Sequence, residues 1–97
     1  MRKPDRINYE FDYVLGQVLK EKRKNKEITM QQVAEKLNTT KQAIFRYENA
    51  DVSMKNSTFQ KYCYVIGENP ASVFEEVSLK YMRYVDSHKD EIMRKEK

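Results

Sequence analysis

Glycine and proline are scarce in this chain, with two of each, and cysteine occurs once. Each shortage excludes something. Cys63 alone cannot build an internal disulfide framework, and a single thiol fits a reducing compartment. Strand and hairpin folds draw on turn glycines far more heavily than this sequence allows. No apolar run approaches the length of a membrane span. The start, MRKPDRINYEF, is basic but has no uncharged apolar stretch after it, so it does not read as a secretory signal. The single histidine, His88, and Cys63 together cannot make a zinc site. Nothing resembles a catalytic triad, a phosphate loop or a carboxylate pair, so neither an enzyme nor a cofactor is expected.

Charge is abundant, at 35% of residues with a net of +4. Its distribution matters more than its size. Residues 1–60 hold twelve Lys/Arg against eight Asp/Glu, whereas residues 61–97 hold seven of each. The excess therefore sits in the first part, where a polyanion would dock. Plentiful Lys, Glu, Gln and Met favour helix. A length of 97 residues suits one domain with one modest helical core.

Residues 1–8 read as a basic arm, because Pro4 and scattered charge oppose helix there. Asn8 or Asp12 can cap a first helix running to about residue 25. In it, Phe11, Leu15, Leu19 and Arg23, with Val14 and Val18, form one stripe. Lys20, Lys22, Lys24 and Lys26 lie elsewhere on that helix, either as a phosphate grip or as a solvated face. A second helix opens on a capping box, with Thr29 as N-cap and Gln32 three residues on. Val33 and Leu37 share its inner face beside the small Ala34. Asn38 stops it, being tolerant of the left-handed conformation.

Thr40 caps a third helix, in which Ile44 and Tyr47 point inward. Lys41, Gln42, Phe45, Arg46 and Asn49 point largely outward. Residues 50–56 read as a loop. A fourth helix over about 57–67 buries Phe59, Tyr62, Cys63 and Ile66 and ends at Gly67. Asn69-Pro70 then starts a fifth. Val73, Val77, Tyr81, Val85, His88 and Ile92 recur along it, so it either runs unbroken to about 94 or divides near Ser78.

These elements, taken in order, carry a resemblance. Leu15…Leu19…Arg23, Ile28-Thr29, Val33-Ala34…Leu37, Thr39-Thr40-Lys41-Gln42-Ala43-Ile44…Tyr47-Glu48 and Ile66-Gly67…Val73-Phe74 resemble the lambdoid phage repressor and Cro (XRE-type) helix-turn-helix family. The resemblance implies an all-α, five-helix repressor-like bundle over residues 9–76, with a C-terminal helical extension over 77–97. It implies a sequence-specific regulator of transcription, a repressor, with the third helix in the major groove of double-stranded DNA. It also implies a cytoplasmic, nucleoid-associated protein of bacterial or phage origin.

Carried over residue by residue, Thr39, Thr40, Lys41, Gln42, Phe45, Arg46 and Asn49 form the DNA face, with Lys55 and Asn56 as backbone contacts. Lys41 or Arg46 suits guanine O6/N7, and Gln42 suits adenine N6/N7. Thr39 and Thr40, with helix-start amides, suit phosphate. Phe45 is open between a thymine methyl and packing against the second helix or a partner subunit. Arg23 and Glu48 match the family's structural ion pair, the alternative being two solvated charges worth at most about 1 kcal/mol.

The chain departs from the family pattern at Met30, where many members have a Gln that reaches the DNA backbone, and at Asn49-Ala50-Asp51, where a glycine and a basic residue are common. An antitoxin that represses its own operon and a protein-binding adaptor are the competing functions. The apolar stripe of the extension either pairs two copies on a pseudo-palindromic operator, binds a toxin, or folds back near Phe11 and Val14. Tyr62, Tyr64, Tyr81 and Tyr84 suggest an aromatic contact surface on the last two helices.

Overall fold

A computed structural model describes residues 11–87 of the chain. The arm 1–8, the capping role of Asn8, the stripe positions His88 and Ile92, and a helix end near 94 all lie outside those residues. Within them, five helices follow one another: α1 (Phe11–Asn25), α2 (Met30–Lys36), α3 (Lys41–Glu48), α4 (Asn56–Val65) and α5 (Pro70–Ser87).

The starts of the helices follow local chemistry. Thr29 Oγ1 accepts from Gln32 N at 3.0 Å, and Gln32 Oε1 accepts from Thr29 N at 2.8 Å, which closes the expected capping box. Thr40 Oγ1 accepts from Ala43 N at 3.1 Å and starts α3. Asn69 Oδ1 accepts from Ala71 N and Ser72 N, with Pro70 as the first helical residue. Asp12 departs from its expected capping role. It lies inside the first turn of α1, and its carboxylate accepts from Ser53 Oγ at 2.6 Å. Helix α4 starts at Asn56, one residue earlier than the stripe suggests, with Lys55 at the N-cap.

The ends of α1 to α4 share one device. A residue with positive φ follows each helix: Glu27 (57°), Asn38 (58°), Ala50 (61°) and Gly67 (74°). The next amide reaches back five residues: Ile28 N to Arg23 O, Thr39 N to Ala34 O, Asp51 N to Arg46 O and Glu68 N to Cys63 O. This is the Schellman closure, which satisfies carbonyls the helix leaves open. Only one of these positions is glycine, so the other three carry the steric strain of a Cβ in the left-handed region, on the order of 1 kcal/mol each.

The core is shared by all five helices. Leu19, Val33, Ala34, Ile44, Tyr62, Cys63 and Val77 are fully enclosed. Burial pushes the Cys63 thiol up to about 11, so it packs as a small apolar group. Helix α5 is unbroken at Ser78 and passes through residue 76, the expected end of the domain. Its stripe folds back on α1. Val77 is in the core, and Tyr81 meets Phe11 edge to face with ring centroids 5.4 Å apart. Tyr84 and Val85 are half-buried. As far as Tyr81 the stripe therefore takes the fold-back near Phe11, one of its three expected outcomes, with α1 as the covering surface.

The lysines of α1 and of the turn after it divide. Lys22 Nζ pairs with Glu76 at 2.9 Å. Lys26 Nζ pairs with Glu68 at 3.0 Å and also donates to the carbonyls of Ile66 and Gly67 at the end of α4. These two tie α1 to α4 and α5. Among the described residues, only Lys20 and Lys24 of the run lack such a tie.

If α5 completes the core, Val77→Ala should lower stability by about 2 kcal/mol. Met82→Ala, at an exposed position of the same helix, should change it by less than about 0.5 kcal/mol. Urea denaturation followed by helicity checks both; equal effects would remove α5 from the core.

Candidate nucleic-acid interface

Helices α2 and α3 flank the turn at Asn38, and α3 shows two unlike faces. Ile44 is fully buried and Tyr47 is packed against the core. Lys41, Gln42, Phe45 and Arg46 are exposed, as are Thr39 and Thr40 ahead of them. Residues 42, 45, 46 and 49 lie three and four apart and so share one side of the helix. Among the described residues, the side chains of Lys41, Gln42 and Arg46 have no hydrogen-bond or ion-pair partner.

Asn49 is half-buried, and its Nδ2 donates to Phe45 O at 2.8 Å, closing the last turn. Phe45 keeps half its surface open (50%), so packing against α2 does not bury it. Lys55 and Asn56 are exposed at the start of α4, where no side chain caps the first amides. Met30 is half-buried against the core, while Gln31 beside it is exposed. Gln32 is committed to the capping box.

The far end of α3 is gripped from several sides. Arg23 of α1 donates from Nε to Glu48 Oε2 at 2.7 Å and from Nη2 to Oε1 at 3.0 Å. Its Nη1 donates to Ile28 O at 2.8 Å, which also fixes the turn before α2. Both members are buried, Arg23 at 5% exposure and Glu48 at 1%. The pair is thus not the solvated surface pair. Burial opposes the Arg23 charge, but the hydrogen bonds and charge of Glu48 outweigh it, and the guanidinium sits above its ordinary value. Tyr62 of α4 donates its hydroxyl to Glu48 Oε2. Burial, then the Glu48 carboxylate, pushes that phenol far up, so it stays protonated and remains a donor.

Two further residues of α1 meet the α3 backbone. Gln17 Nε2 donates to Glu48 O at 2.9 Å. Gly16 lies so close that an added Cβ would stand 2.4 Å from Glu48 O and 2.7 Å from Tyr47 O. Sequence reasoning passed over Gly16, Gln17 and the hydroxyl of Tyr62. The glycine had a signal: an isolated glycine inside a helical stripe marks a close backbone approach. The other two had none, since their partner lies 31 and 14 residues away.

This is the architecture of an all-α helix-turn-helix domain, with a polar, uncommitted outer face on its second motif helix. The model of the Helix-turn-helix family matches residues 19–71, and the chain belongs to that family, of XRE type. It is accordingly a DNA-binding regulator domain and not an enzyme. No curated protein matches the chain.

Two crystal structures of the clp gene regulator ClgR from Corynebacterium glutamicum share the fold. One has a TM-score of 0.72 and 18% identity, covering 88% of this chain and 88% of that one. The other has a TM-score of 0.69 and 20% identity, covering 73% of this chain and 92% of that one.

The buried pair makes a distinctive double-mutant test. Arg23→Met alone strands the Glu48 carboxylate and should cost about 3–5 kcal/mol, whereas Arg23→Met with Glu48→Leu should recover a large part of that loss. Additive losses in denaturant titration would mean the two charges are not coupled. Gly16→Ala should cost about 1–3 kcal/mol despite alanine's better helix propensity, because α1 and α3 must separate. A stabilised Gly16→Ala protein would contradict the close approach.

Proposed function

We propose that this protein is a sequence-specific transcriptional repressor that inserts α3 into the major groove and works as a homodimer on a pseudo-palindromic operator. One observation carries the reading. The outer face of α3 presents Lys41, Gln42 and Arg46 without partners among the described residues, while its inner face and last turn are locked. Polar side chains with free hydrogen-bonding capacity on a fixed helix are what base-edge readout requires.

Each residue then has a role. Gln42 pairs with an adenine edge, and Lys41 or Arg46 with guanine. Thr39, Thr40 and Asn49 border the groove. Phe45 offers its exposed ring to a thymine methyl. Lys55 and Asn56, beside the uncapped amides of α4, hold phosphate. Arg23 and Glu48 do not touch DNA and set the pose of α3. Such a protein works in the cytoplasm, on the nucleoid.

Dimerism is favoured by apolar surface that the fold leaves open. Phe74, Leu79 and Met82 of α5 and Tyr64 of α4 are all about half exposed or more, from 49% for Leu79 to 68% for Tyr64. One α3 covers too few base pairs to find a single site in a genome, and a two-fold pair of half-sites one helical turn apart removes that limit. A toxin bound to the same surface would make the protein an antitoxin. An adaptor would leave the outer face of α3 without a purpose.

Selection of bound duplexes from a random library tests the whole reading, and a palindrome with half-sites about one turn apart is expected. On the recovered site, Gln42→Ala or Arg46→Ala should each cost about 1–3 kcal/mol, and less on random duplex. Lys55→Ala should weaken binding to all sequences alike and reduce the salt slope by about one. Equal losses on both duplexes would remove Gln42 and Arg46 from base reading. Sedimentation of the free chain as a monomer at tens of micromolar would leave pairing only on the operator.

A further inference from the structure

We infer that Tyr62 is a positioning residue for sequence reading: its hydroxyl, reaching Glu48 from α4, fixes the rotation of α3 about its own axis. The inference rests on the reading of α3 as the base-contacting helix.

The geometry is one of triangulation. Arg23 approaches the Glu48 carboxylate from α1 and Tyr62 approaches it from α4. Glu48 Oε2 accepts from both, and Oε1 from Arg23 alone. Donors on one helix can follow a rolling partner, but donors on two helices cannot both do so. The Tyr62 ring is wholly buried in the core, so its hydroxyl has a fixed position. Helix α4 packs chiefly on α5 and α2, and the hydroxyl is its polar bridge to α3. Gln17 and Gly16 set the height and spacing of the same turn against α1. They leave roll as the motion that the Tyr62 bridge resists.

Roll matters because Glu48 is two residues from Arg46 and lies on the turn after Gln42. A side-chain tip stands about 6 Å from a helix axis. A roll of about 10° therefore moves it by about 1 Å, beyond the window of a good hydrogen bond. Base-edge bonds are lost under such a roll. Attraction between the same cations and the phosphates is not, since it is long-ranged and undirected.

Tyr62→Phe keeps the ring and deletes the bridge. Val77→Ala serves as a destabilised control in the same core, remote from Glu48 in sequence and on a helix from which no hydrogen bond to its carboxylate comes. Each full-length protein is titrated with the selected duplex and with random duplex, at a temperature where circular dichroism shows it fully helical. Tyr62→Phe should lower affinity for the selected duplex by about tenfold, the scale of one hydrogen bond to a charged group. Random-duplex affinity and its salt slope should stay unchanged, and Val77→Ala should keep the wild-type ratio. Amide exchange across α3 should quicken in Tyr62→Phe. A lowered melting temperature with an intact duplex ratio and unchanged α3 exchange would make Tyr62 merely structural and overturn the inference. Wild-type protein that does not distinguish the two duplexes would instead overturn the reading beneath it, and that result is obtained without any variant.

Discussion

The carboxylate of Glu48 is where three helices meet, and the placement of the outer face of α3 follows from it. A carboxylate this deeply enclosed would be intolerable without compensation. Here Arg23 supplies a two-point ion pair, and the Tyr62 hydroxyl supplies a further donor. No buried side-chain nitrogen or oxygen among the described residues lacks a partner. A polar cluster satisfied in this way adds little net stability over an apolar one of the same shape. It does make one arrangement of the helices much better than its neighbours, because any sliding or rolling leaves a buried charge incompletely paired. On the proposed reading of α3, in which the aim of a few side chains matters, that directional constraint is worth more than the same volume of leucine.

The surrounding structure serves the same constraint. Gly16 lets α1 lie against the backbone of Tyr47 and Glu48, and the helix accepts a poor helix former there. Arg23 also holds the Ile28 carbonyl, so the turn into α2 and the end of α3 depend on one guanidinium. The left-handed residues Glu27, Asn38 and Ala50 close their helices abruptly and keep the connections short. Ala50 is itself buried and follows directly on the last turn of α3, so its strain sits beside the cluster that holds that turn. The side chains of Lys41, Gln42 and Arg46 on the outer face of α3 have no such commitments among the described residues. Its freedom and the rigidity of the inner face are two sides of one division of labour.

Local patterns made much of this legible. The capping box at Thr29–Gln32, the Thr40 cap, the Asn69-Pro70 start and the left-handed Asn38 all depend on residues within a few positions of each other, and all appear as expected. The apolar stripes identify Leu19, Val33, Ile44, Tyr62 and Val77 as inward-facing, because burial follows helical period. The outward residues of α3 are legible by the same period. Asp12, one of two caps the sequence allows for α1, lies instead in the first turn, because a carboxylate near a helix start fits either place; its carboxylate there meets Ser53, far away in the chain.

The sequence by itself determined the first four helices and the start of the fifth, the caps of α2, α3 and α5, and the two faces of α3, since each is decided by neighbours three or four residues apart. Tertiary structure alone decided which charges are buried and which helix covers which stripe. Nothing in the residues near Lys22 or Lys26 shows that they would be drawn to Glu76 and to the end of α4. Nor does the stripe of α5 disclose that α1 covers Tyr81. An amphipathic helix states only that it needs an apolar partner, and any face of suitable shape satisfies it. The Glu48 cluster joins residues 25 and 14 positions apart. Its members acquire their meaning only when folding removes them from water and leaves each as the nearest available partner of the others.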